Sequence, residues 1–275
     1  MTASQHVSVR RIPGSHEQSD ELVIEEPLEI VLRWQHDAET EEKTIAITMR
    51  TPGDDRALAA GFLFTEGIVE KLEDIVAIEV PDTQNRVLLI LRPGLQPDLK
   101  SLERHFYTSS SCGVCGKTSL AALRAASVYP IAKEGLNVED LALRFLPQRL
   151  LEGQNTFATT GSAHAAALFN STGQILDIAE DVGRHNALDK LIGRAMLKGS
   201  LPLSDSGILL SGRAGFELVQ KARMAATPML ACVGAPSSLA VDLVWESEMT
   251  LLGFLRAESF NIYSCPSRVS DSSAA

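Results

Sequence analysis

The sequence predicts an α/β protein, a three-layer sandwich in its second half that carries a smaller α+β domain in its first. Two observations predict it. Short runs rich in Val, Ile and Thr occupy residues 22–49, separated by polar residues as antiparallel strands are. From residue 165 to 255 strand-like and helix-like segments alternate, a pattern that implies right-handed parallel crossovers.

The elements follow in order. Residues 1–20 are polar, lack the apolar stretch of a secretory signal, and read as a flexible tail. Strands are expected at 22–24, 28–32 and 43–49, followed by turn chemistry at Thr51-Pro-Gly-Asp-Asp55. Leu58, Gly61, Phe62 and Thr65 repeat at helical spacing, and Gly67 closes that helix. Residues 76–80 and 87–91 read as two more strands, and 130–147 as a connector with one short helix. The second half begins with strands at 165–169 and 175–178 around a Ser171-Thr-Gly turn. An amphipathic helix over 183–198 turns Leu188, Leu191, Ile192, Ala195 and Met196 to one face. Strands at 208–211, 229–233 and 251–255 then alternate with helices at 216–226 and 238–248. The division drawn from this is a tail (1–20), an N-terminal domain (21–148), a C-terminal domain (149–268) and a tail (269–275).

Composition bounds the function. Hydrophobic residues make up 45% and charged residues 22% of the 275, ordinary values for a globular protein. The formal net charge of -10 argues against broad nucleic-acid binding, which needs Lys and Arg to replace phosphate counterions. It leaves room for a local basic pocket holding one phosphorylated ligand. No apolar run reaches the roughly 18 residues of a membrane span. The four cysteines are too few for a disulfide scaffold at this length and suggest reduced thiols in the cytoplasm.

Two of them, Cys112 and Cys115, lie in Ser-Cys-Gly-Val-Cys-Gly, ahead of a helical segment. Moving a free thiol from about 8.5 to about 6.5 needs roughly 2.7 kcal/mol, and a helix N-terminus supplies about 2 at best. Lys117, His105 and the backbone N–H groups around Gly113 and Gly116 are candidates for the rest. The pair fits a mobile thiol carrier, half of a zinc site, a dithiol oxidoreductase, or two inert small residues. Cys232 sits inside an apolar strand as a small core residue, and Cys265 precedes Pro266 with no specific role.

Two loops after parallel strands are shaped for phosphate: Ser211-Gly212-Arg213, and Gly234-Ala-Pro-Ser237-Ser. Each offers small residues, a hydroxyl and a helix N-terminus, and Arg213 adds a forked donor; plain capped turns look the same. Arg184, His185 and Asn186 open the amphipathic helix and are placed to contact a ligand, with Asp181 as its cap. His164 reads as a core or supporting histidine. Zinc deaminase chemistry needs His-x-Glu followed by Pro-Cys-x-x-Cys; His164-Ala-Ala166 lacks the glutamate, and Cys-x-x-Cys lies upstream.

Six blocks carry a family resemblance. They are Arg50-Thr-Pro-Gly-Asp-Asp55, Gly61-Phe-Leu-Phe-Thr-Glu-Gly67, Ser110-Ser-Cys-Gly-Val-Cys-Gly-Lys117, Glu180-Asp-Val-Gly-Arg-His-Asn-Ala187, Ser211-Gly-Arg213 and Val233-Gly-Ala-Pro-Ser-Ser-Leu-Ala240. With them the chain resembles the formate dehydrogenase accessory sulfurtransferases, the FdhD family, from residue 25 to 263. The resemblance implies a cytidine-deaminase-like fold without deaminase chemistry for the second half, and a homodimer. It implies persulfide sulfur taken from a cysteine desulfurase and passed to the bis-guanine-dinucleotide form of the molybdenum cofactor. That cofactor is bound as a substrate, which a guanine nucleotide can mimic, before it enters the catalytic subunit of formate dehydrogenase. Cys112 would carry the sulfur and Cys115 assist. Cofactor contacts would come from Phe254, Leu255, Arg256, Ala257, Glu258 and Ser259, with Asn261 and Tyr263 beyond them; a second basic residue is expected where Ser259 stands. Ser162 replaces a usual glycine and Gly215 a usual serine. A cofactor-binding chaperone that moves no sulfur, and a thiol oxidoreductase, are the competing functions.

Overall fold

The computed structural model describes residues 3–13, 16–37, 39–81, 85–99 and 129–272. Strands β1 (Ser4–Arg10) and β2 (Glu17–Val23) pair as an antiparallel ribbon, so part of the expected N-terminal tail is a strand. Its side chains are mostly exposed and polar, which left no apolar period to read. Next, β3 (Glu26–His36) alternates Leu28, Ile30, Leu32 and Trp34 onto one buried face. It pairs antiparallel with β4 (Glu39–Arg50) and parallel with β6 (Arg86–Leu91), which pairs antiparallel with β5 (Ile75–Glu79). Helix α1 (Asp55–Thr65) packs its Leu58, Leu63 and Phe64 into the same core and ends at Gly67, whose φ of 74° suits the left-handed turn.

A second sheet has the order β13-β12-β11-β10-β8-β9. Strands β10 (Gly207–Leu210), β11 (Met229–Cys232) and β12 (Thr250–Gly253) are parallel, as the alternation implied. Strands β8 (His164–Phe169), β9 (Ile175–Asp181) and β13 (Asn261–Ser264) each run antiparallel to a neighbour. One face carries Ile208, Leu210, Leu230 and Leu251 against helices α4 (Arg184–Leu197), α5 (Phe216–Met224) and α6 (Ser238–Glu246). The other carries Ala165, Ala167, Leu209 and Ala231 against α2 (Asp140–Gly153). The short α3 (Asn155–Thr160) follows α2. The whole is a mixed α/β protein with several sheets.

Two further expectations need correction. The connector drawn up to residue 147 is cut short: α2 runs through Pro147 to Gly153. An interior proline costs about 3 kcal/mol. Burying Leu143, Leu146 and Leu150 at about 1.5–3 kcal/mol each outweighs that cost. The C-terminal tail contains β14 (Val269–Ser270), paired in parallel with β7 (Val138–Glu139), a ladder too short to show in sequence. Arg268 anchors it, donating to the carbonyls of Ala132 at 2.8 Å and Glu248 at 2.9 Å.

The two sheets share one core because α1 lies on α4 with almost no side chain between them. A Cβ on Gly61 would lie 2.8 Å from the Asp189 carbonyl carbon, and one on Gly193 would lie 2.7 Å from that of Ala57. Glycine at both positions permits this backbone approach.

Candidate functional site

Three parallel strands end at one edge of the six-stranded sheet. Because β8 and β13 run the opposite way, their first residues, His164 and Asn261, lie at that edge too. Asp181 at the end of β9 is the register partner of His164. The second-half segments singled out in the sequence therefore converge. Ser211-Gly212-Arg213 follows β10, Gly234 to Ser237 follows β11, residues 254–259 follow β12, and Arg184 and His185 open α4 after β9.

The loops are built backbone against backbone. Gly234 N–H donates to the Gly212 carbonyl at 2.8 Å, and Ser237 N–H to that of Ala214 at 3.0 Å. A Cβ on Gly234 would sit 2.9 Å from the Arg213 backbone, so this position needs glycine. Gly253 likewise makes room for the ring of Tyr263, whose hydroxyl accepts from Asn261 at 3.4 Å. Phe254 is exposed at a φ of 53°, while Leu255 is turned into the core. Arg256 donates to the carbonyls of Val233 at 2.6 Å and Leu255 at 2.7 Å, which ties this segment to the β11 loop. Ala257, Glu258 and Ser259 form the exposed turn beyond it, and the Ser259 carbonyl accepts from Arg256 N–H at 2.9 Å.

The electrostatics of this edge are one-sided. Helices α4, α5 and α6 all begin here, at the N-caps Gly183, Gly215 and Ser237. Only Ser237 caps with its side chain, accepting from Ala240 N–H at 3.3 Å. Each helix start presents free N–H groups and about half a positive charge. Six arginines elsewhere, Arg33, Arg50, Arg86, Arg92, Arg144 and Arg194, are paired to carboxylates. Arg184 and Arg213 have no such partner among the described residues. The arrangement can seat an anion at more than one point.

Asn186 faces away from this edge. Its amide nitrogen donates to Met49 O at 2.7 Å and to Asp181 at 3.1 Å, and its oxygen accepts from Thr48 at 3.1 Å. Asp181 is fully buried, holds Lys190 at 2.7 Å and accepts from the N–H groups of Thr51 and Gly183. Two of the six sequence blocks thus dock on each other, with Arg50 bidentate on Asp55 behind them at 2.9 and 3.0 Å.

Sequence reasoning passed over a cluster between α1, α4 and α5. Lys221 donates to Thr65 at 2.8 Å and to Glu66 and Asp189 at 3.0 Å each. Burial opposes its charge, but the two carboxylates outweigh burial and hold its pKa above the ordinary value. One turn nearer the site, His185 Nε2 meets Glu217 at 2.9 Å; that contact overcomes burial and keeps Glu217 below its usual pKa. The available signal was charge on an apolar face, since Asp189 and Lys221 stand among Leu188, Ile192, Leu218 and Ala222.

Cys112 and Cys115 lie outside the described residues. Cys232 is buried beneath the Gly234 loop with its thiol 3.2 Å from the Gly234 carbonyl, and burial pushes its pKa up to about 11. It is a core thiol, not a nucleophile.

Comparison with known proteins fits this architecture. The family model described as FdhD/NarQ family matches residues 23–270. A Streptomyces coelicolor protein named "Sulfur carrier protein FdhD" is 51% identical over 91% of this chain and 89% of its own. One of the same name from Mycobacterium tuberculosis is 41% identical over 97% of this chain and 99% of its own. A solved structure, a formate dehydrogenase accessory protein from Desulfotalea psychrophila, aligns with a TM-score of 0.71 at 25% identity. The alignment covers 97% of this chain and 98% of that one.

Proposed function

The chain belongs to the FdhD/NarQ family, and we propose that it is a sulfur carrier that serves formate dehydrogenase. In this reading it moves persulfide sulfur from a cysteine desulfurase to the molybdenum cofactor in its bis-guanine-dinucleotide form, held as substrate. The Cys112 thiolate attacks the terminal sulfur of the desulfurase persulfide. A new S–S bond forms on Cys112 as the donor's breaks, and the donor cysteine leaves as a thiolate. This transfer onto Cys112 balances in atoms and electrons with no external oxidant. Cys115 assists, and the catalytic subunit of formate dehydrogenase receives the finished cofactor. The working form is a homodimer in the cytoplasm.

The observation that carries the acceptor half is Arg184 and Arg213, without carboxylate partners among the described residues, at a sheet edge where three helices begin, in a chain of net charge -10. Phosphates of a nucleotide fit such a seat. Ser211, Gly212, Gly234 and Ser237 would approach them by backbone and hydroxyl, with His185 alongside. The 254–259 segment, Asn261 and Tyr263 would flank the rest of the ligand, and Asn186 would act by fixing the start of α4. A cytidine-deaminase-like classification of the sandwich is part of the proposal, supported by parallel β10–β12 bordered by antiparallel β8 and β9.

Replacing Cys112 with alanine tests the role. In cells that depend on this protein, formate dehydrogenase activity should vanish while the purified variant binds GDP as the wild type does. Full activity with alanine at this position would remove the persulfide role and leave a cofactor-binding chaperone.

A further inference from the structure

His164 stands at the first position of β8, and its ring lies against the loop after β10. A Cβ on Gly212 would come within 3.6 Å of its Nδ1 and 3.8 Å of its Cε1. The imidazole is half-buried, and neither ring nitrogen has a hydrogen-bond partner among the described residues. Its nitrogens are not enclosed, so the ring is open to a ligand beside loops whose backbone is bonded across from one to the other.

The charged groups around it come from three elements. Arg184 and His185 face it from the first turn of α4, and Asp181 from the end of β9. Arg213 follows Gly212 on the loop after β10. Asp181 is already committed to Lys190 and to the N–H groups of Thr51 and Gly183, and His185 to Glu217. Burial, and then Arg184, keep the pKa of His164 below the ordinary histidine value. At neutral pH the ring is therefore uncharged.

We propose that His164 is a ligand-binding residue, which donates a hydrogen bond as imidazolium to an anionic group seated between Arg184 and the Ser211-Gly212-Arg213 loop. The inference rests on the reading of this edge as a phosphate seat. Its consequence is proton uptake on binding. The free ring is neutral; an anionic oxygen beside it raises its pKa, so a proton is gained between the free and bound values. Affinity then rises as pH falls through the bound-state pKa and levels off below the free-state one. Linkage limits the gain to about tenfold per pH unit.

Calorimetric titration of the full chain with GDP, in paired buffers of different ionisation enthalpy from about pH 8 to about pH 6, counts the protons. GDP's own titration is common to wild type and His164→Gln, so their difference is the ring's share. Where the difference is greatest the wild type should take up roughly a quarter to half a proton more than the variant, and gain about three- to tenfold in affinity relative to it across that range. His36→Asn, on the exposed end of β3 away from this edge, should keep the wild-type uptake. His164→Asn repeats the comparison should the glutamine variant fail to fold. Equal proton uptake by wild type and a folded His164 variant, both binding GDP, would overturn the proposal and leave the seat standing. Failure of the wild type to bind GDP at any pH would overturn the seat itself. Uptake lost in His185→Asn and kept in the His164 variants would also overturn the proposal.

Discussion

Gly193→Ala tests the seam that joins the two sheets. The new methyl would stand 2.7 Å from the Ala57 carbonyl carbon and 2.8 Å from Gly61 N, nearer still to the Ala57 oxygen, where ordinary contacts begin at 3.4 Å. The obstacle is backbone, and because its nearest atom is the Ala57 oxygen the two helices must move apart by more than the roughly 0.7 Å that relieving the carbonyl carbon alone would take. A gap of about 0.5–1 Å forfeits a quarter to a half of the dispersion attraction across it. Leu58, Leu188 and Leu191 in the surrounding core are fully or almost fully buried, so the loss is shared by many contacts. Overpacking of this kind costs about 1–3 kcal/mol, and here the upper end applies, while the helix propensity of alanine returns about 1 kcal/mol. The net destabilisation is about 2 kcal/mol. With a urea slope near 2 kcal/mol/M, the unfolding midpoint should fall by roughly 1 M. A midpoint unchanged or raised would show propensity winning, and the close-packed seam would be wrong.

Three further outcomes follow from the site and its surroundings. Arg213→Ala or Arg184→Ala should each weaken GDP binding by about tenfold or more, the worth of a charge-assisted hydrogen bond, and flatten its salt dependence; calorimetry at two salt concentrations checks both. Lys221→Met leaves the buried Asp189 without its cation and should cost about 3–5 kcal/mol in urea unfolding, partly recovered by adding Asp189→Leu. Asp74 works against burial to stay ionised, accepting from the N–H groups of Glu70 and Lys71 and from Arg92, so its folded pKa is depressed. Its contribution is present above the unfolded value and lost as pH falls through the folded one; below about pH 4 the wild-type urea midpoint should drop more steeply than that of Asp74→Asn.

The sequence carried its regular elements clearly wherever burial leaves a local pattern. Strands β10 to β12 announce themselves as short continuous apolar runs buried on both faces, and helices α4 to α6 by the period of apolar residues each turns to the core. Helix α2 did not, because Pro147 is a local stop signal and the compensation comes from a sheet far away in sequence. The ribbon of β1 and β2 has little apolar face to display. Among site residues, the phosphate-shaped loops were visible as glycine and serine after a strand. The side-chain commitment of Asn186 was not, since its partners Thr48 and Met49 lie in the other sheet. Long-range docking of this sort has no local pattern. The same holds for Gly61 and Gly193, each legible as a helical glycine while the helix it meets is not.

The central claim is that sulfur rides on Cys112. Intact-mass measurement of the purified chain after incubation with a cysteine desulfurase and cysteine tests it directly. The account predicts a gain of one sulfur atom, removed by a reducing agent and missing from Cys112→Ala. A wild-type mass that never rises, or a sulfur still gained by Cys112→Ala, would contradict it.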